Sequence, residues 1–415
     1  MQSIRDDAKQ MIKNIIDDNM PCTAVANALK AHEFCENLYM VAIGKAAWTM
    51  AKAACDFLGG KLKKGIVITK YEHVMGELPN CDVFEAGHPV ADENTISATA
   101  KAIELVSGLG MGDEVLFLVS GGGSAIFEKP LEGISLKDIS RVTNELLASG
   151  ADIVEMNIVR KRLSAVKAGR FAIMTAPAKI FCIILSDVLG DRLDSIASGP
   201  AVSDNSTAED AKRVASKYGL KLSELQSKYL NEETPKEISN VKTKITGSVR
   251  TLCESAAKTA EQLGYTPYVL STTINCEARE AGRFMAQIAE DTKAGRNSFA
   301  TPCAIIAGGE TVVTLRGKGK GGRNQEIALA AAKAIANLDD SLIFSLGSDG
   351  TDGPTDAAGG MVCGGTLVKL KEAGIDIDKA LMENDSYNAL NAADGLIITG
   401  PTGTNVNDVT VILCR

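Results

Sequence analysis

The feature of this chain that most constrains its fold is a repeated alternation between short apolar segments and segments of helical periodicity. In the N-terminal half, four segments are apolar at almost every position, as strands covered on both faces are: residues 38–43, 65–69, 113–119 and 179–185. Helical patterns long enough to connect parallel strands lie between them, at residues 45–58, 92–107 and 135–148. The sequence therefore predicts an α/β fold with a mostly parallel sheet.

The length of 415 residues indicates more than one domain, because domains average about 150 residues. The polar segment 228–244 is typical of a connection, and a boundary placed there predicts domains of residues 1–239 and 240–415. Beyond it we predict a smaller α/β domain with strands near residues 245–248, 267–271, 303–307, 311–315, 342–346 and 409–413, and helices near residues 249–263, 276–292 and 323–337. The short spacing between residues 303–307 and 311–315 predicts a hairpin, so this second sheet is expected to be mixed.

Composition and charge exclude several classes of partner. The 44 basic and 52 acidic residues give a net charge of −8, which argues against nucleic acid or an anionic membrane as a partner. The ten cysteines are dispersed without a C-x-x-C pair, as is typical of buried thiols in a reducing cytoplasm. No segment reaches the ~18 apolar residues of a membrane-spanning helix. We expect a cytoplasmic protein, either a monomer or a homodimer.

Glycine-rich turns follow two of the predicted strands, which is where ligands bind in open α/β sheets. Gly44 and Lys45 follow the first strand, and a cation beside a helix start suits a bound anion. Ser120, Gly121, Gly122, Gly123 and Ser124 follow the third strand, and successive glycines can present several N–H groups to one anion. A solvated lysine and a flexible turn are the simpler interpretations of each feature alone.

Carboxylates and cations occupy two further loops. Asp187, Asp191 and Asp194 come after the fourth strand, where carboxylates can hold Mg²⁺ or accept a proton; we select Asp187 and Asp191. Lys318, Lys320 and Arg323 lie among glycines before an Ala-rich helix, an arrangement that predicts a second anion site. The remaining candidate binding residues are Glu310, Asn324, Asp349 and Asn405.

Known nucleotide and acyl-transfer motifs are absent or incomplete. Neither G-x-x-x-x-G-K-[ST] nor G-x-G-x-x-G occurs, which disfavours a P-loop NTPase and an orthodox Rossmann dehydrogenase. Ser164 and Lys167 match S-x-x-K and residues 203–205 match S-D-N, but no K-T-G completes the β-lactamase set. Anion sites, isolated cations and carboxylates, with only three histidines, favour phosphoryl transfer over a His-dependent hydrolase.

These motifs together resemble the glycerate kinases whose C-terminal half is a MOFRL domain. The similarity runs through GKAAWTMA, GHPVADENT, LVSGGGSAIFEKP, NIVRKRLSAVKAGR, LSDVLGDRLDSIASGP, GGETVVTLRGKGKGGRNQEIALA, GSDGTDGPTDAAGG and GPTGTNVNDV. The family usually has His where Arg162 stands and Gly where Ala168 stands, which bears on the role of that helix.

The resemblance implies ATP- and Mg²⁺-dependent phosphorylation of D-glycerate to 2-phosphoglycerate, in a cleft between a Rossmann-like N-terminal domain and the smaller MOFRL domain. It implies catalytic roles for Lys45 and Arg323. It also places Asp187 in an acidic loop, where Asp187 would accept a proton or, together with Asp191, bind the metal ion. Two other functions remain open: a hydroxypyruvate reductase that uses NAD(P)H, and a non-catalytic sugar-acid or nucleotide sensor. The sequence leaves open which glycine-rich loop holds ATP, and whether carbon 2 or carbon 3 is phosphorylated.

Overall fold

A computed structural model describes residues 3–186, 190 and 192–415 of the chain. Its strands, in chain order, are β1 Asn37–Ile43, β2 Leu62–Lys70, β3 Cys81–Ala86, β4 Asp113–Val119, β5 Lys179–Leu185, β6 Val241–Gly247, β7 Thr266–Ile274, β8 Cys303–Gly309, β9 Ser341–Gly347, β10 Gly359–Cys363, β11 Leu396–Ile397 and β12 Asp408–Cys414.

The α-helices in these ranges are α1 Ile4–Asp18, α2 Pro21–Lys30, α3 Ala47–Leu58, α4 Glu93–Val106, α5 Gly123–Ile126, α6 Leu136–Ala148, α7 Ile153–Arg162, α8 Arg170–Thr175, α9 Ala208–Lys217, α10 Glu224–Leu230, α11 Val249–Gln262, α12 Ala278–Lys293, α13 Arg323–Ala331, α14 Thr366–Glu372, α15 Ile377–Met382 and α16 Ser386–Ala392. None of the helices in the described part of the chain has the length and apolar character needed to cross a bilayer.

The chain divides into two compact units. Residues 24–246 form one, called the N-terminal unit here, and residues 247–415 together with residues 1–23 form the other, the C-terminal unit. These units differ in two places from the predicted domains, 1–239 and 240–415: β6 completes the first sheet, and α1 packs with α11. The assignment of functional domains within the chain stays a prediction.

The N-terminal unit is built on a six-stranded sheet in the order β3-β2-β1-β4-β5-β6. The pairings from β3 to β5 are all parallel, as the apolar strands predict. Val41, Phe117 and Ile184 are nearly inaccessible to solvent and pack into one core with α4 and α8. Continuous apolar strands form here because helices cover both faces of the sheet.

The strand order creates a switch point between β1 and β4. From β1 the chain proceeds to β2 on one side, and β4 lies on the other side of β1. The two strands are in register up to their carboxyl ends, where Ile43 is opposite Val119. In a doubly wound sheet the crevice outside such a pair of strand ends is the usual ligand site. Gly44 and Ser120 are the first residues beyond those ends.

Four helices form a second apolar cluster in this unit. α6, α7, α9 and α10 bury Val142, Leu146, Val159, Val214 and Leu230 against one another. This cluster is largely separate from the sheet core and fixes the orientation of α7. α7 begins with a capping box at Asp152 and Glu155, and three basic residues lie in its last turn. The charges at both ends therefore interact favourably with the helix dipole.

The C-terminal unit contains a mixed sheet in the order β11-β10-β9-β12-β8-β7. Only β7 and β8 are parallel; the other pairings are antiparallel. Since β12 runs against both of its neighbours, its first residue, Asp408, is opposite the last residues of β8 and β9, Gly309 and Gly347. Asp408, at the start of β12, is thus placed beside the C-terminal ends of β8 and β9.

The N-terminal helix belongs to the C-terminal unit through polar contacts. Asp7 in α1 is 2% exposed and accepts hydrogen bonds from Tyr265, at 2.6 Å, and from the C-terminal Arg415. Asn19 accepts a hydrogen bond from Thr251 of α11 at 2.9 Å. Helix α1, Asn19 and the last residue of the chain are therefore held by the same unit.

Two strand predictions are wrong. Residues 311–315 form no strand, so the predicted hairpin is absent. The second sheet is mixed because β8 pairs parallel with β7 and antiparallel with β12. Residues 245–248 were assigned to the second sheet, whereas β6 pairs at the edge of the first. α13 also ends at Ala331 rather than near residue 337. The local pattern identified strands but not their partners, since those are set by distant segments.

Candidate active site

The main chain of Lys45 is held at the switch point by hydrogen bonds to three neighbouring segments. Its N–H donates to the carbonyl of Gly121 at 2.9 Å, and its carbonyl contacts Thr69 Oγ1 at 3.3 Å and His73 Nδ1 at 3.0 Å. In the described residues the Nζ of Lys45 has neither a hydrogen bond nor an ion pair. Lys45 precedes α3, which begins at Ala47, instead of lying in its first turn. The backbone is fixed while the ammonium group remains available to a ligand.

Glycine is required at two positions because the loops after β1 and β4 are in close contact. Gly44 has a φ of 110°, and a Cβ there would lie 2.4 Å from the carbonyl oxygen of Ser120. Gly122 has a φ of 82°, and a Cβ there would lie 3.0 Å from Nε2 of His88 and 3.2 Å from Cγ of Lys45. Both φ values favour glycine, and both close approaches exclude a side chain.

The serines that flank the three glycines have internal partners. Ser120 is 3% exposed; its Oγ accepts from the N–H of Ala46 at 3.0 Å and donates to the carbonyl of Ile43 at 3.2 Å. Ser124 Oγ is 3.0 Å from Ser198 Oγ. No hydrogen bond within the described ranges uses the N–H of Gly121 or Gly122. These two main-chain groups are donors that the loop can offer to an anion.

His88 is a further candidate site residue, not selected from the sequence. It follows β3 and Gly87, and its half-buried ring lies beside Gly122 and Lys45. Burial, with a further contribution from Lys45, Lys70 and His73, lowers the pKa of His88 below its ordinary value. The imidazole is therefore neutral at pH 7 and able to accept a proton. β3 was not predicted; with it, the strand-end rule that selected Lys45 would have selected His88 too.

Arg323, the first residue of α13, is held by two carboxylates of the C-terminal unit. Its Nε and Nη2 donate to Asp408 at 2.5 and 3.1 Å, and its Nη1 donates to Glu310 at 2.9 Å. The Arg323 side chain is 32% exposed, so the guanidinium has a solvent-facing edge. Burial raises the pKa of Asp408 to about 6 even though Arg323 opposes that shift, and Asp408 raises the pKa of Arg323. The guanidinium is charged and fixed in orientation.

The N–H groups at the start of α13 are already occupied. Asp352, 3% exposed, accepts from the N–H of Asn324 at 3.1 Å and from that of Gln325 at 2.9 Å. The side chain of Asn324 bonds Ser345 at 2.6 Å within the unit. An anion near this helix start would therefore be bound by the Arg323 side chain rather than by the N–H groups of the helix.

The glycines of residues 316–322 have a packing role that the sequence did not reveal. A Cβ at Gly317 would lie 2.2 Å from Cα of Glu383, and one at Gly321 would lie 2.1 Å from Oγ of Ser386. Asn384, at a φ of 53°, accepts hydrogen bonds from the N–H groups of Arg316 and Gly317. The glycines let this loop lie directly on the segment between α15 and α16, so they are not evidence of a ligand.

Four other candidate binding residues lie at the surface of the C-terminal unit. Lys318 is exposed, and Lys320 is exposed with its Nζ 4.0 Å from the ring centre of Tyr387. Asp349 accepts from the N–H of Thr351 at 2.9 Å, and Asn405 from that of Asn407 at 3.5 Å, as in Asx turns. Ligand contacts for all four stay predictions, as does the expected cleft between domains.

Asp187 and Asp191, the predicted metal ligands, lie outside the described residues. Within the described ranges, no group of three His, Cys, Asp or Glu side chains is arranged to hold a metal ion. Asp408 and Asp352 are engaged by Arg323 and by α13, and the partly exposed Glu310 uses Oε1 for Arg323. These residues form no preformed cage, and Mg²⁺ commonly binds through one or two carboxylates plus substrate phosphates.

The two departures from the family pattern have structural roles. Ala168 has a φ of 52°, in the left-handed region that favours the glycine usual in the family. Arg162 is completely buried and donates to the carbonyl of Ile158 at 2.9 Å and to Ser206 Oγ at 3.0 Å. Lys167 bonds the carbonyls of Ser124 and Phe127, not the hydroxyl of Ser164, so the S-x-x-K match is a coincidence.

We predict a pH-dependent stability for Asp408. Because its folded pKa of about 6 exceeds that of an unfolded Asp, the folded chain binds the proton more tightly, and stability falls as pH rises from about 4 to about 6. A two-unit shift corresponds to about 3 kcal/mol. We expect the melting temperatures of wild type and Asp408→Asn, measured across this pH range, to converge or cross as pH rises. Asp291→Asn, which changes an exposed pair with Arg296, is the control and should follow wild type. A wild-type advantage that grows with pH would show instead that Arg323 lowers this pKa.

Comparison with known proteins assigns the chain to a family. A family model described as a domain of unknown function, DUF4147, matches residues 7–231, and a MOFRL family model matches residues 303–408. D-glycerate 2-kinase of Thermotoga maritima is 50% identical over 410 residues, covering 99% of this chain and 98% of that protein. Glycerate 2-kinase of Pyrococcus horikoshii is 43% identical over 432 residues, covering 99% and 97%.

The solved structures agree with the sequence comparison. A crystal structure of glycerate kinase from Thermotoga maritima has a TM-score of 0.95, 50% identity and coverage of 99% of both chains. The protein thus belongs to the class of two-domain α/β proteins that join a DUF4147 domain to a MOFRL domain. Within that class, the chain is a member of the glycerate kinase family.

Proposed function

We propose that the protein transfers the γ-phosphoryl group of ATP to the 2-hydroxyl group of D-glycerate, forming 2-phosphoglycerate and ADP. The observation that carries this proposal lies at the switch point of a parallel sheet. There, within the described residues, the ammonium group of Lys45 has no partner, and it lies beside the N–H groups of Gly121 and Gly122, which make no hydrogen bond. The names of the relatives, glycerate 2-kinase and D-glycerate 2-kinase, support the same reaction and the same carbon atom.

Lys45 and the glycine loop neutralise negative charge. Phosphoryl transfer involves little covalent chemistry by the protein, so positioning and charge neutralisation supply most of the catalysis. The main chain of Lys45 is fixed before substrate binds, and its ammonium group therefore needs little reorganisation to contact a phosphoryl oxygen. Arg323 is the corresponding group of the C-terminal unit, since its orientation is fixed by Asp408 and Glu310.

His88 accepts the proton of the substrate hydroxyl in this proposal. Its ring lies beside Lys45 and Gly122, and neither ring nitrogen has a hydrogen-bond partner in the described residues. A neutral imidazole can take the hydroxyl proton as the oxygen attacks phosphorus, and the neighbouring cations favour its return to the neutral form.

The His88→Gln variant tests this role. We expect kcat to fall ~100-fold and the decrease of kcat/KM at acid pH, where the imidazole becomes protonated, to be lost. His73→Gln is the matched control, because within the described residues the His73 side chain hydrogen-bonds only the main chain of Lys45. It should lower the rate without removing the acid limb. An unchanged acid limb in His88→Gln would exclude His88 as the proton acceptor.

Mg²⁺ is proposed to enter with ATP, where it would neutralise the phosphates. Because the described residues form no cage for it, we assign it to the nucleotide and to the partly exposed carboxylate of Glu310, whose Oε2 has no partner in the described residues.

A coupled assay tests the function. The protein is supplied with D-glycerate, ATP and Mg²⁺ while ADP is followed, and separately with hydroxypyruvate and NADH or NADPH. ADP release that requires both D-glycerate and Mg²⁺ is the expected result, with loss of activity in EDTA. Oxidation of the nicotinamide cofactor would instead identify a reductase, and silence in both assays would favour a sensor.

A further inference from the structure

We propose that Arg160 and Asn157 of α7, with Ser198 and Ser124, form the subsite that binds the carboxylate group of the substrate. The proposal rests on the function proposed above and adds the group that distinguishes an acid from an uncharged polyol. All four residues lie in the N-terminal unit.

The guanidinium of Arg160 has no hydrogen-bond or ion-pair partner within the described residues. Its Nε is buried without a hydrogen bond, and no carboxylate of the described residues lies within ion-pair distance of the group. Burial lowers the pKa of Arg160, although the nearby Glu128 opposes that shift, so the guanidinium is partly desolvated. A desolvated cation without an anion is costly. An anionic ligand removes that cost.

The neighbouring charges leave Arg160 as the unsatisfied cation. Glu128, 2% exposed, pairs with the fully buried Lys167 at 3.1 Å, and Lys167 also bonds the carbonyls of Ser124 and Phe127. One carboxylate therefore faces two cations, and a second Glu128 oxygen, Oε1, is itself unpaired. This cluster has an excess positive charge that one carboxylate would balance.

The other cations near α7 are already bound. Arg162 donates hydrogen bonds to Ser206. Lys161 forms ion pairs with Asp194 and Asp204. Arg170 donates to the carbonyls of Lys161 and Ser164. Among these four basic residues of the described chain, Arg160 is the one whose guanidinium makes no hydrogen bond or ion pair, so it is the one that can take an anion from a ligand.

Polar groups next to Arg160 complete the subsite. Asn157 lies three residues before Arg160 on the same helix, so both side chains share one face of α7. Its Oδ1 accepts from Ser198 Oγ at 3.2 Å, and Ser198 Oγ is 3.0 Å from Ser124 Oγ. The Asn157 amide nitrogen makes no hydrogen bond in the described residues. A forked guanidinium, an amide N–H and two hydroxyls suit a carboxylate with an adjacent hydroxyl group.

The subsite is next to the anion-binding loop because Ser124 belongs to both. Ser124 is two residues from Gly122, a separation of at most about 7 Å along the chain. A three-carbon acid bound by Arg160 at its carboxylate would thus have its hydroxyl groups near the loop that carries Gly122.

Direct binding measurements on the full chain test the proposal. We compare the dissociation constants for D-glycerate and for ATP in wild type, Arg160→Gln and Arg160→Lys. Arg160→Gln should weaken D-glycerate binding ~100-fold without a comparable change for ATP. Arg160→Lys keeps the charge but not the fork and should weaken it about 10-fold. Arg213→Gln, at an exposed pair with Asp210, is the matched control and should bind as wild type does.

The uncharged amide of glyceric acid provides a readout that misfolding cannot imitate. Wild type should prefer D-glycerate over this amide by ~100-fold, and Arg160→Gln should bind the two about equally. If circular dichroism shows that Arg160→Gln does not fold, Arg160→Lys provides the test: its preference for D-glycerate over the amide should be smaller than that of wild type. Retained preference in the folded variant, or loss of ATP binding with D-glycerate binding intact, would overturn the subsite.

The same measurements separate this subsite from the proposed reaction. Wild-type phosphorylation of D-glycerate with an unchanged preference in Arg160→Gln would overturn the subsite alone. Loss of the preference in a protein that does not phosphorylate D-glycerate would support the subsite and contradict the reaction. Absence of both binding and phosphorylation in wild type would overturn both.

Discussion

Lys45→Ala is expected to lower kcat at least ~100-fold in a protein that remains folded, the scale of losing a preorganised charge contact to the transition state. The Lys45 ammonium has no partner in the described residues, so its removal leaves no buried group unsatisfied. Its main-chain contacts to Gly121, Thr69 and His73 do not depend on the side chain. The loss should therefore appear in turnover rather than in stability.

Steady-state kinetics with D-glycerate and ATP, together with melting curves, provide the measurement for Lys45. Lys52→Ala is the matched control, since Lys52 lies on α3, the helix that follows Lys45, and pairs with Asp56 at the surface. It should retain wild-type kinetics. A Lys45→Ala variant with a near-normal rate would remove Lys45 from the site.

Arg323→Ala is expected to lower kcat by a similar factor, at least ~100-fold. The guanidinium is charged, oriented by two carboxylates and partly exposed, which suits bidentate contact with phosphoryl oxygens. The substitution also leaves the buried Asp408 without its partner, and losing one member of a buried pair is destabilising. Activity must therefore be interpreted together with stability.

The double variant Arg323→Ala/Asp408→Asn separates these two effects. It removes the unpaired carboxylate, so it should recover stability relative to Arg323→Ala without recovering turnover. Arg283→Ala, at an exposed pair with Glu280 on α12, should behave as wild type. Recovery of near-normal kcat in the double variant would show that Arg323 acts only by neutralising Asp408.

Four strands of the first sheet, β1, β2, β4 and β5, could be predicted because each carries its own evidence. β4 and β5 have the predicted bounds, since strands buried on both faces are apolar at nearly every position. β10, with two glycines at its start, and the two-residue β11 lack that pattern. The pairing of β8 with β12, about a hundred residues later in the chain, is set by the folded unit and not by the local sequence.

Arg323 was predicted from cations among glycines before a helix, and the rest of the candidate site could be predicted where chemistry follows a recognised strand. Lys45 and the loop at residues 120–124 met that condition, whereas His88 follows a strand that was not recognised. Asp408 begins an antiparallel strand, so the rule for carboxyl ends does not identify it. Arg160 is significant because its guanidinium has no partner in the part of the chain that the structure describes, a property that no local pattern records.

Phosphorus NMR of the reaction product is the most direct test of the proposed transfer. With D-glycerate, ATP and Mg²⁺, the account predicts a new phosphomonoester signal split into a doublet by the single proton on carbon 2. A triplet would place the phosphoryl group on carbon 3 and contradict the proposed regiochemistry. The absence of any new phosphomonoester signal would contradict phosphoryl transfer to glycerate altogether.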